Sequence, residues 1–526
     1  MSTILETKVT GRASARPWLG ILAVLFGAFI STLNARLSAF GLADIRGAIH
    51  AGFDEGAWIV TAHTSGQMLV TPLAVWAGGV YGPRRCLIWG ATLFCVAETV
   101  LPFSSSVGHL IACQLAAGIG SGTFIPLTLP VVLRSTQPRY WAYGIAVYGL
   151  NLELSLNISA SLEEWYIANV GWQWIFWQNV PLVLAMIFCL INGLPRQPLP
   201  AKVRLPAVFG PVSASVGLAM IYAALDQGNR LDWLSSGTVV GLFSAGGILV
   251  VASLVHLHFN SSQWFFIGKG LTWPLPLLLF LVVVLRLTLL STSYLVPQFL
   301  VMVRGFRALE VGQALVWIAI PQLVTAPLAA FLLRSVDSRW VAMLGLLAIA
   351  VACGVVASGL TAAWGPREFL QTQLLQSFGQ SMALSGIVFT AVLHMRPDIQ
   401  LTFGGLLQTS RLLGGEMGLA VAETLQRVRE QRASNLIGQH VIAGSGATIE
   451  RIGDYAQALN SGGSSARPYA LLAAAVRQAA GVQSFIDSFA VIATVAATAL
   501  AVVIVVGRAP DGPAAHRPFF APRLRP

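Results

Sequence analysis

Charged side chains are scarce in this sequence. Of its 526 residues only 10% are Asp, Glu, Lys or Arg, whereas 56% are hydrophobic. A soluble domain carries about 25% charged residues. Most of this protein's surface must therefore face hydrocarbon. The net charge is +11, but the basic residues flank the apolar runs, which indicates a membrane as the partner and not a nucleic acid.

The motifs of several enzyme and metal-protein classes are also missing. The five cysteines lie in or beside apolar stretches, without the spacing of a zinc site or a disulfide framework, and we interpret them as packing residues. No Walker loop or nucleophile elbow occurs in the connections between these stretches. The sequence therefore predicts no enzyme activity, no metal site and no cofactor, and it disfavours ATP as the energy source.

What the sequence has instead is a series of long apolar runs. Fourteen are long enough to cross ~30 Å of hydrocarbon. They lie at 18–45, 56–80, 86–106, 108–133, 140–162, 172–194, 206–226, 233–257, 273–303, 309–333, 340–361, 369–394, 400–425 and 483–507. We therefore expect an all-α integral membrane protein with fourteen transmembrane helices.

The basic residues predict how these spans are oriented. With an even number of spans, both termini lie on one side, and most Lys and Arg residues of the short connections lie there too. The opposite short connections hold only Arg46, Arg230, Arg304, Arg307 and Arg367. This asymmetry predicts a multi-pass protein of a bacterial inner membrane with both termini in the cytoplasm. The polar segment 426–482 then lies outside, and its ends are expected to extend spans thirteen and fourteen as helices.

Three segments are similar to a known family. They are FISTLNARLSAFGLADIRGAIHAGFDEGAWIVTAHTSGQM in spans one and two, GWQWIFWQNVP at 171–181 and QTSRLLGGEMG at 408–418. They resemble the fourteen-span drug:proton antiporters of the major facilitator superfamily, the EmrB/QacA type, whose span thirteen carries an Arg-x-x-Gly-Gly-x-x-Gly pattern. The chain departs from that family's pattern at Gly79, Gln114 and Ser159-Ala160.

The resemblance implies a domain organisation. Two six-helix bundles, at 18–194 and at 271–507 with the external loop 426–482, are joined by two linking transmembrane helices within 195–270. Residues 1–17 and 508–526 are expected to be cytoplasmic tails.

The resemblance also implies a function, which is proton-driven export of amphipathic organic compounds, including drugs, by alternating access. A dedicated exporter or importer of one metabolite with the same fold is the alternative. The expected partners are a small-molecule substrate, the lipid bilayer and, in a cell with two membranes, a periplasmic membrane-fusion adaptor.

Glu153 in span five is the first candidate for the transport site. A charge inside hydrocarbon costs ~3 kcal/mol or more, and Glu153 lies ~21 Å into its helix, counted from Arg139. Asn151 and Asn157 lie on the same polar helix, which lines the central cavity in the family that it resembles. Burial would allow the carboxyl to carry a proton. A buried structural pair is the alternative.

Arg36 in span one is the second candidate, because it lies at a depth from which its long side chain would reach Glu153. Asn34 shares its helix and suggests a polar patch that faces the cavity. The alternative for Arg36 is that its side chain extends to the outer membrane interface.

Further charges occur near the middle of other spans. Arg411 and Glu416 in span thirteen are candidates for the substrate cavity or for proton coupling, and a partner on another helix is expected because they are five residues apart. Arg286 and Glu98 lie at similar depth, and for Glu98 a plain hydrogen bond to a neighbouring helix is favoured. Glu163-Glu164 is expected at the exposed surface.

A short turn after span two contains Gly82, Pro83, Arg84 and Arg85. In the family that the chain resembles, this loop is a conformational latch that links the two bundles by charge contacts. Ordinary retention of positive charge in the cytoplasm is the alternative for the two arginines.

Overall fold

The computed structural model describes residues 16–196, 208–259, 273–442, 444–458 and 467–506. The predicted tails lie almost wholly outside these ranges, as does much of the predicted 195–270 segment between and beside its two helices. The remaining chain is helical over most of its length, and each predicted span overlaps one of its long helices.

We number these long helices in chain order. They are α1 (Pro17–Phe40), α2 (Phe53–Val80), α3 (Pro83–Phe103), α4 (Val107–Ser135), α5 (Trp141–Asn169), α6 (Trp174–Gly193), α7 (Phe209–Gly228), α8 (Gly237–Phe259), α9 (Leu275–Met302), α10 (Gly312–Ser335), α11 (Ser338–Gly359), α12 (Leu370–His394), α13 (Gln400–Gln439) and α14 (Arg467–Val505).

Ten of the helices within the described ranges are long and apolar enough to cross a membrane, and the bent pair α12–α13 would add an eleventh span. Helices α2 and α5 do not meet that test because they carry more polar side chains. Some of these polar side chains, such as Glu153 and Asn157 on α5, are candidate site residues.

The helices pack as two bundles with a pair of linking helices beside them. Helices α1 to α6 surround a core that includes Phe94, Phe124 and Phe176, and α9 to α14 contribute most of a second core that includes Phe299 and Phe389. Helix α5 packs along α10 at the interface between the bundles, and α7 packs against both α2 and α13. The linking helix α7 thus lies against both bundles.

The long helices run between two opposite ends of the structure. The basic end carries the connections with Arg84, Arg134, Arg334 and Arg396, and the far end is the opposite one. Helices α13 and α14 have 40 and 39 residues, or ~60 Å each, which is twice the ~30 Å of a hydrocarbon core. Beyond the predicted spans they continue as helices, as the sequence predicted, with the short helix Gly446–Ala458 between them. An ion pair of 3.4 Å joins Arg429 on α13 to Asp487 on α14. We call the described residues of segment 426–482 the projecting hairpin.

Candidate functional site

Asn34 lies inside the first bundle. Its amide donates to Glu98 Oε1 at 2.8 Å, and Asn179 Nδ2 donates to Glu98 Oε2 at 3.0 Å and to Asn34 Oδ1 at 2.9 Å. All three side chains are fully buried. Because its amide is bound to α3 and α6, Asn34 does not form a cavity-facing patch with Arg36, contrary to the sequence prediction. Glu98 makes the hydrogen bonds to neighbouring helices that the sequence favoured.

Glu153 lies at the interface between the bundles. It is 1% exposed, and its Oε2 accepts a 3.2 Å hydrogen bond from Ser381 Oγ on α12. Its Oε1 is buried and has no hydrogen-bond partner among the described residues. Arg286 on α9 is close enough to interact with it electrostatically, whereas Arg36, which the sequence suggested as its partner, donates to the Ser293 carbonyl instead. The electrostatic environment of this carboxyl, which belongs to the first bundle, therefore depends on groups of the second bundle.

A row of amide side chains continues from Glu153 across this interface. Asn157 Nδ2 donates to Gln322 Oε1 at 3.2 Å, Gln322 Nε2 donates to Gln380 Oε1 at 3.2 Å, and Gln380 Nε2 donates to Thr292 Oγ1 at 2.9 Å. Four helices, α5, α10, α12 and α9, are joined in this way. The sequence indicated Asn157 but not its partners. Asn151, by contrast, bonds within the first bundle, to the Leu25 carbonyl at 2.7 Å.

The row ends at an irregular turn of α9. Residues Ser291–Leu295 form a π-helical turn, a feature that frequently marks functional sites. Arg36 Nη2 on α1 donates to the Ser293 carbonyl of this turn at 2.8 Å, and its guanidinium lies 5.0 Å from the Phe40 ring. Arg36 therefore extends across to the second bundle and does not point out to the membrane interface.

Two more arginines lie close to Arg36. Arg286 on α9 is near enough to Arg36 and to Arg411 on α13 for their charges to interact. Arg411 Nη1 donates to Gln408 Oε1 at 2.8 Å. The Arg286 guanidinium lies against Gly415, where an added Cβ would come within 3.3 Å of Nη2. One glycine of the Arg-x-x-Gly-Gly-x-x-Gly pattern thus makes room for an arginine of another helix.

The linking helix α7 supplies polar groups that the sequence analysis did not select. The Tyr222 hydroxyl donates to Glu416 Oε2 at 2.6 Å. Asp226 lies within hydrogen-bonding reach of the Glu416 carboxyl and also accepts from the Thr61 hydroxyl on α2. Asp226 occurs near the end of an apolar run, which was the one signal available.

A cavity of about 1250 Å³ opens at the far end. Its walls come from α1, α2, α7, α9, α13 and α14. Ala39, one turn beyond Arg36, and Tyr294, next to Ser293, both line it, so the cavity begins about one helical turn from Arg36. Within the described residues, no group of three or more His, Cys, Asp or Glu side chains is arranged to hold a metal ion.

At the basic end the bundles are in tight contact. A Cβ added to Gly404 on α13 would overlap the carbonyl oxygen of Pro126 on α4. Arg134 Nε donates to Gln400 Oε1 at 3.1 Å, and Arg334 Nη1 donates to the Tyr143 hydroxyl at 2.6 Å. The interface is therefore closed at the basic end while the cavity opens at the other.

The predicted latch residues make their hydrogen bonds within the first bundle. Gly82 has φ +87°, a conformation that favours glycine, and it precedes the first turn of α3. Arg84 donates to the Leu190 and Ile191 carbonyls at 3.4 and 3.1 Å, and Arg85 donates to the Tyr81 carbonyl at 3.5 Å. At the basic end the arginines that donate hydrogen bonds between the bundles are Arg134 and Arg334, so the latch role of Arg84 and Arg85 stays a prediction.

Glu163 corrects another expectation. It is fully buried, and neither carboxyl oxygen has a hydrogen-bond partner in the described part of the chain. Gly41, at the end of α1, packs against its side chain and excludes solvent. The prediction of surface exposure is wrong for Glu163, whereas Glu164 is partly exposed.

Two helical bundles with a buried polar interface, closed at one end and open at the other, define a secondary transporter of the alternating-access class. Residues 24–419 match the Major Facilitator Superfamily. The chain belongs to this superfamily.

Individual relatives agree with this assignment. The chain is 25% identical over 345 residues to the probable multidrug resistance protein EmrY of Escherichia coli, a match over 64% of this chain and 65% of EmrY, just under two thirds of its length. It is 23% identical over 420 residues to the multidrug export protein EmrB of the same organism, covering 78% and 80% of the two chains. The crystal structure of the human organic anion transporter MFSD10 is similar to this chain with a TM-score of 0.56 at 15% identity, and the match covers 93% of this chain and 99% of that one. At this identity the similarity supports the fold and not a shared activity.

Proposed function

We propose that this protein exports amphipathic organic compounds, including drugs, by proton antiport, and that it acts as a transporter and not as an enzyme. The observation that carries the proposal is Glu153, a buried carboxyl of the first bundle that is hydrogen-bonded to Ser381 of the second. A proton gained or lost there changes a contact between the bundles. The names of EmrY and EmrB support drugs as the substrates.

The closed and open ends support a direction of transport. We assign the basic end to the cytoplasm, because it carries most of the arginines of the short connections. Both termini would then be cytoplasmic, in a bacterial inner membrane, and the structure would correspond to the outward-open state. The energy would come from the proton gradient, without a cofactor.

Transport in membrane vesicles of defined orientation tests this proposal. Inside-out vesicles that contain the protein should accumulate members of a panel of amphipathic compounds when their interior is made acidic, and a protonophore should stop this accumulation. Vesicles from the same cells without the protein are the control. Accumulation of a single metabolite would favour a dedicated transporter. Gradient-dependent uptake only by right-side-out vesicles, or by neither kind, would contradict the proposal.

A periplasmic adaptor is proposed as the partner of the projecting hairpin. Leu436, Ile442, Ile449 and Tyr469 on this hairpin are more than half exposed, and exposed apolar groups that lie beyond the membrane favour protein contact. Deletion of residues 440–466 should remove drug resistance in a host with two membranes but leave uptake by inside-out vesicles unchanged. Unchanged resistance in that host would rule out an adaptor that binds the tip.

A further inference from the structure

Three arginines on three different helices lie near one another at the interface between the bundles. They are Arg36 on α1, Arg286 on α9 and Arg411 on α13, and the charge of Arg286 interacts with both of the others. Arg36 and Arg286 are half-buried, although Arg286 lies 11 residues, or ~17 Å, beyond the start of α9. Guanidinium groups at this depth that keep accessible surface line an internal space, and they do not extend to the membrane interface.

These arginines have unused hydrogen-bonding capacity. The Nε atoms of Arg36 and Arg286 are buried and have no hydrogen-bond partner among the described residues. The hydroxyl of Tyr148, a fully buried residue, lies beside Arg411. Buried donors are normally satisfied, so the two unused Nε donors of neighbouring arginines indicate a place for an acceptor.

The charge of this place is not balanced by the protein. None of the ion pairs in the described part of the structure involves these three arginines. The carboxyl of Glu153 interacts with Arg286 at longer range. Three guanidinium groups beside one carboxyl leave an excess of positive charge, which an anion would neutralise.

The cavity that begins one turn from Arg36 offers a lining for the rest of such a ligand. Its wall contains three acidic residues, Asp226, Glu423 and Glu430, and three basic ones, Arg230, Arg427 and Arg477. The wall therefore has no net charge, and it also contains apolar side chains such as Leu42, Phe53 and Val60. An amphipathic molecule can place its apolar part there and its charged group at the arginines.

We propose that Arg36, Arg286 and Arg411 bind the head group of an amphipathic organic anion, with Tyr148 as an additional donor. The planar guanidinium matches the two oxygens of a carboxylate and donates to them in pairs. This proposal deepens the proposed transport function by naming the substrate class, an organic acid with an apolar body.

Binding of two probes with the same tail and opposite charge tests the proposal. The full-length protein in nanodiscs is dialysed to equilibrium against radiolabelled octanoate or octyltrimethylammonium, with empty nanodiscs as the blank. Octanoate should bind saturably, and the cation should not. Saturable binding of the cation alone, or of neither probe, would overturn the proposal.

Variants then locate the site. Arg286→Gln should raise the Kd of octanoate about tenfold or more, since hydrogen bonds to charged groups are among the stronger ones. Arg286→Lys, which keeps the charge but not the planar fork, should restore part of the affinity. Arg429→Gln is the matched control, because Arg429 lies on the projecting hairpin and is bound to Asp487, and it should leave the Kd within about twofold.

The outcomes separate this inference from the transport function. An unchanged Kd in a folded Arg286→Gln protein, judged by size-exclusion chromatography, would overturn the site. If that variant does not fold, Arg36→Gln and the comparison of the two probes on the unaltered protein decide. Transport of other compounds without octanoate binding would refute the anion site and leave the export function intact. Octanoate binding without any vesicle transport would refute the export function alone.

Discussion

Glu153→Gln is expected to reduce gradient-driven accumulation in inside-out vesicles to the level of vesicles without the protein. Glutamine keeps the size of the side chain and its hydrogen bond with Ser381 but cannot carry a proton as a carboxyl does. The interface between the bundles would then no longer respond to the gradient. Equilibrium binding of a transported compound should persist, because the shape of the site is preserved.

The control for this variant is Glu164→Gln, the same change at the partly exposed far end of the same helix, which should transport normally. If Glu153→Gln vesicles accumulate a compound against its gradient at the normal rate, the coupling proton is carried elsewhere. Glu98 and Glu416 would then be examined, since both are buried carboxyls with hydrogen bonds to other helices.

Gly404→Ala is expected to open the basic end of the interface. The added Cβ would overlap the Pro126 carbonyl of α4 and approach the Pro130 ring, and an overpacked contact between backbones costs about 1–3 kcal/mol. Because each 1.4 kcal/mol changes an equilibrium about tenfold, the ratio of closed to open molecules should fall by roughly one to two orders of magnitude. Transport should fall with it, since the cycle needs this closed state.

The opening can be measured as a distance. Spin labels at Thr136→Cys and Arg396→Cys, in a protein whose five natural cysteines are replaced, should lie farther apart in the Gly404→Ala variant. Gly354→Ala is the matched control, because a Cβ added there meets nothing within 4 Å. An unchanged distance together with normal transport would show that the added Cβ does not destabilise the closed contact between α4 and α13.

The helices were predictable from the sequence because each apolar run carries its own signal. Length and composition within some twenty residues determine a transmembrane helix, and the extensions of α13 and α14 followed from local sequence as well. The burial of Glu153 was predictable for the same reason, since depth along one helix needs only a count from its end.

The partners of the site residues were not predictable in this way. Glu153 and Ser381 are 228 positions apart, and Asn34 and Glu98 are 64 apart. Such contacts depend on how helices are arranged around each other, and the sequence pattern of a single helix does not determine that arrangement. The role of α7 was missed for a related reason, because a linking helix that packs against both bundles looks in the sequence like any other span.

Because of its length, α13 can transmit a movement from one end of the protein to the other. Gly404 lies four residues after the start of this helix, at the closed end, and Gln439 ends it in the projecting hairpin. If the second bundle rocks as a rigid body, the two ends of such a rod swing in opposite directions about a pivot inside the membrane. The ~30 Å that lies beyond the hydrocarbon would enlarge the stroke, so the hairpin tip would travel farther than the gate itself. A protein bound at the tip would therefore be displaced mechanically each time the gate at the basic end opens, without contacting the transported compound.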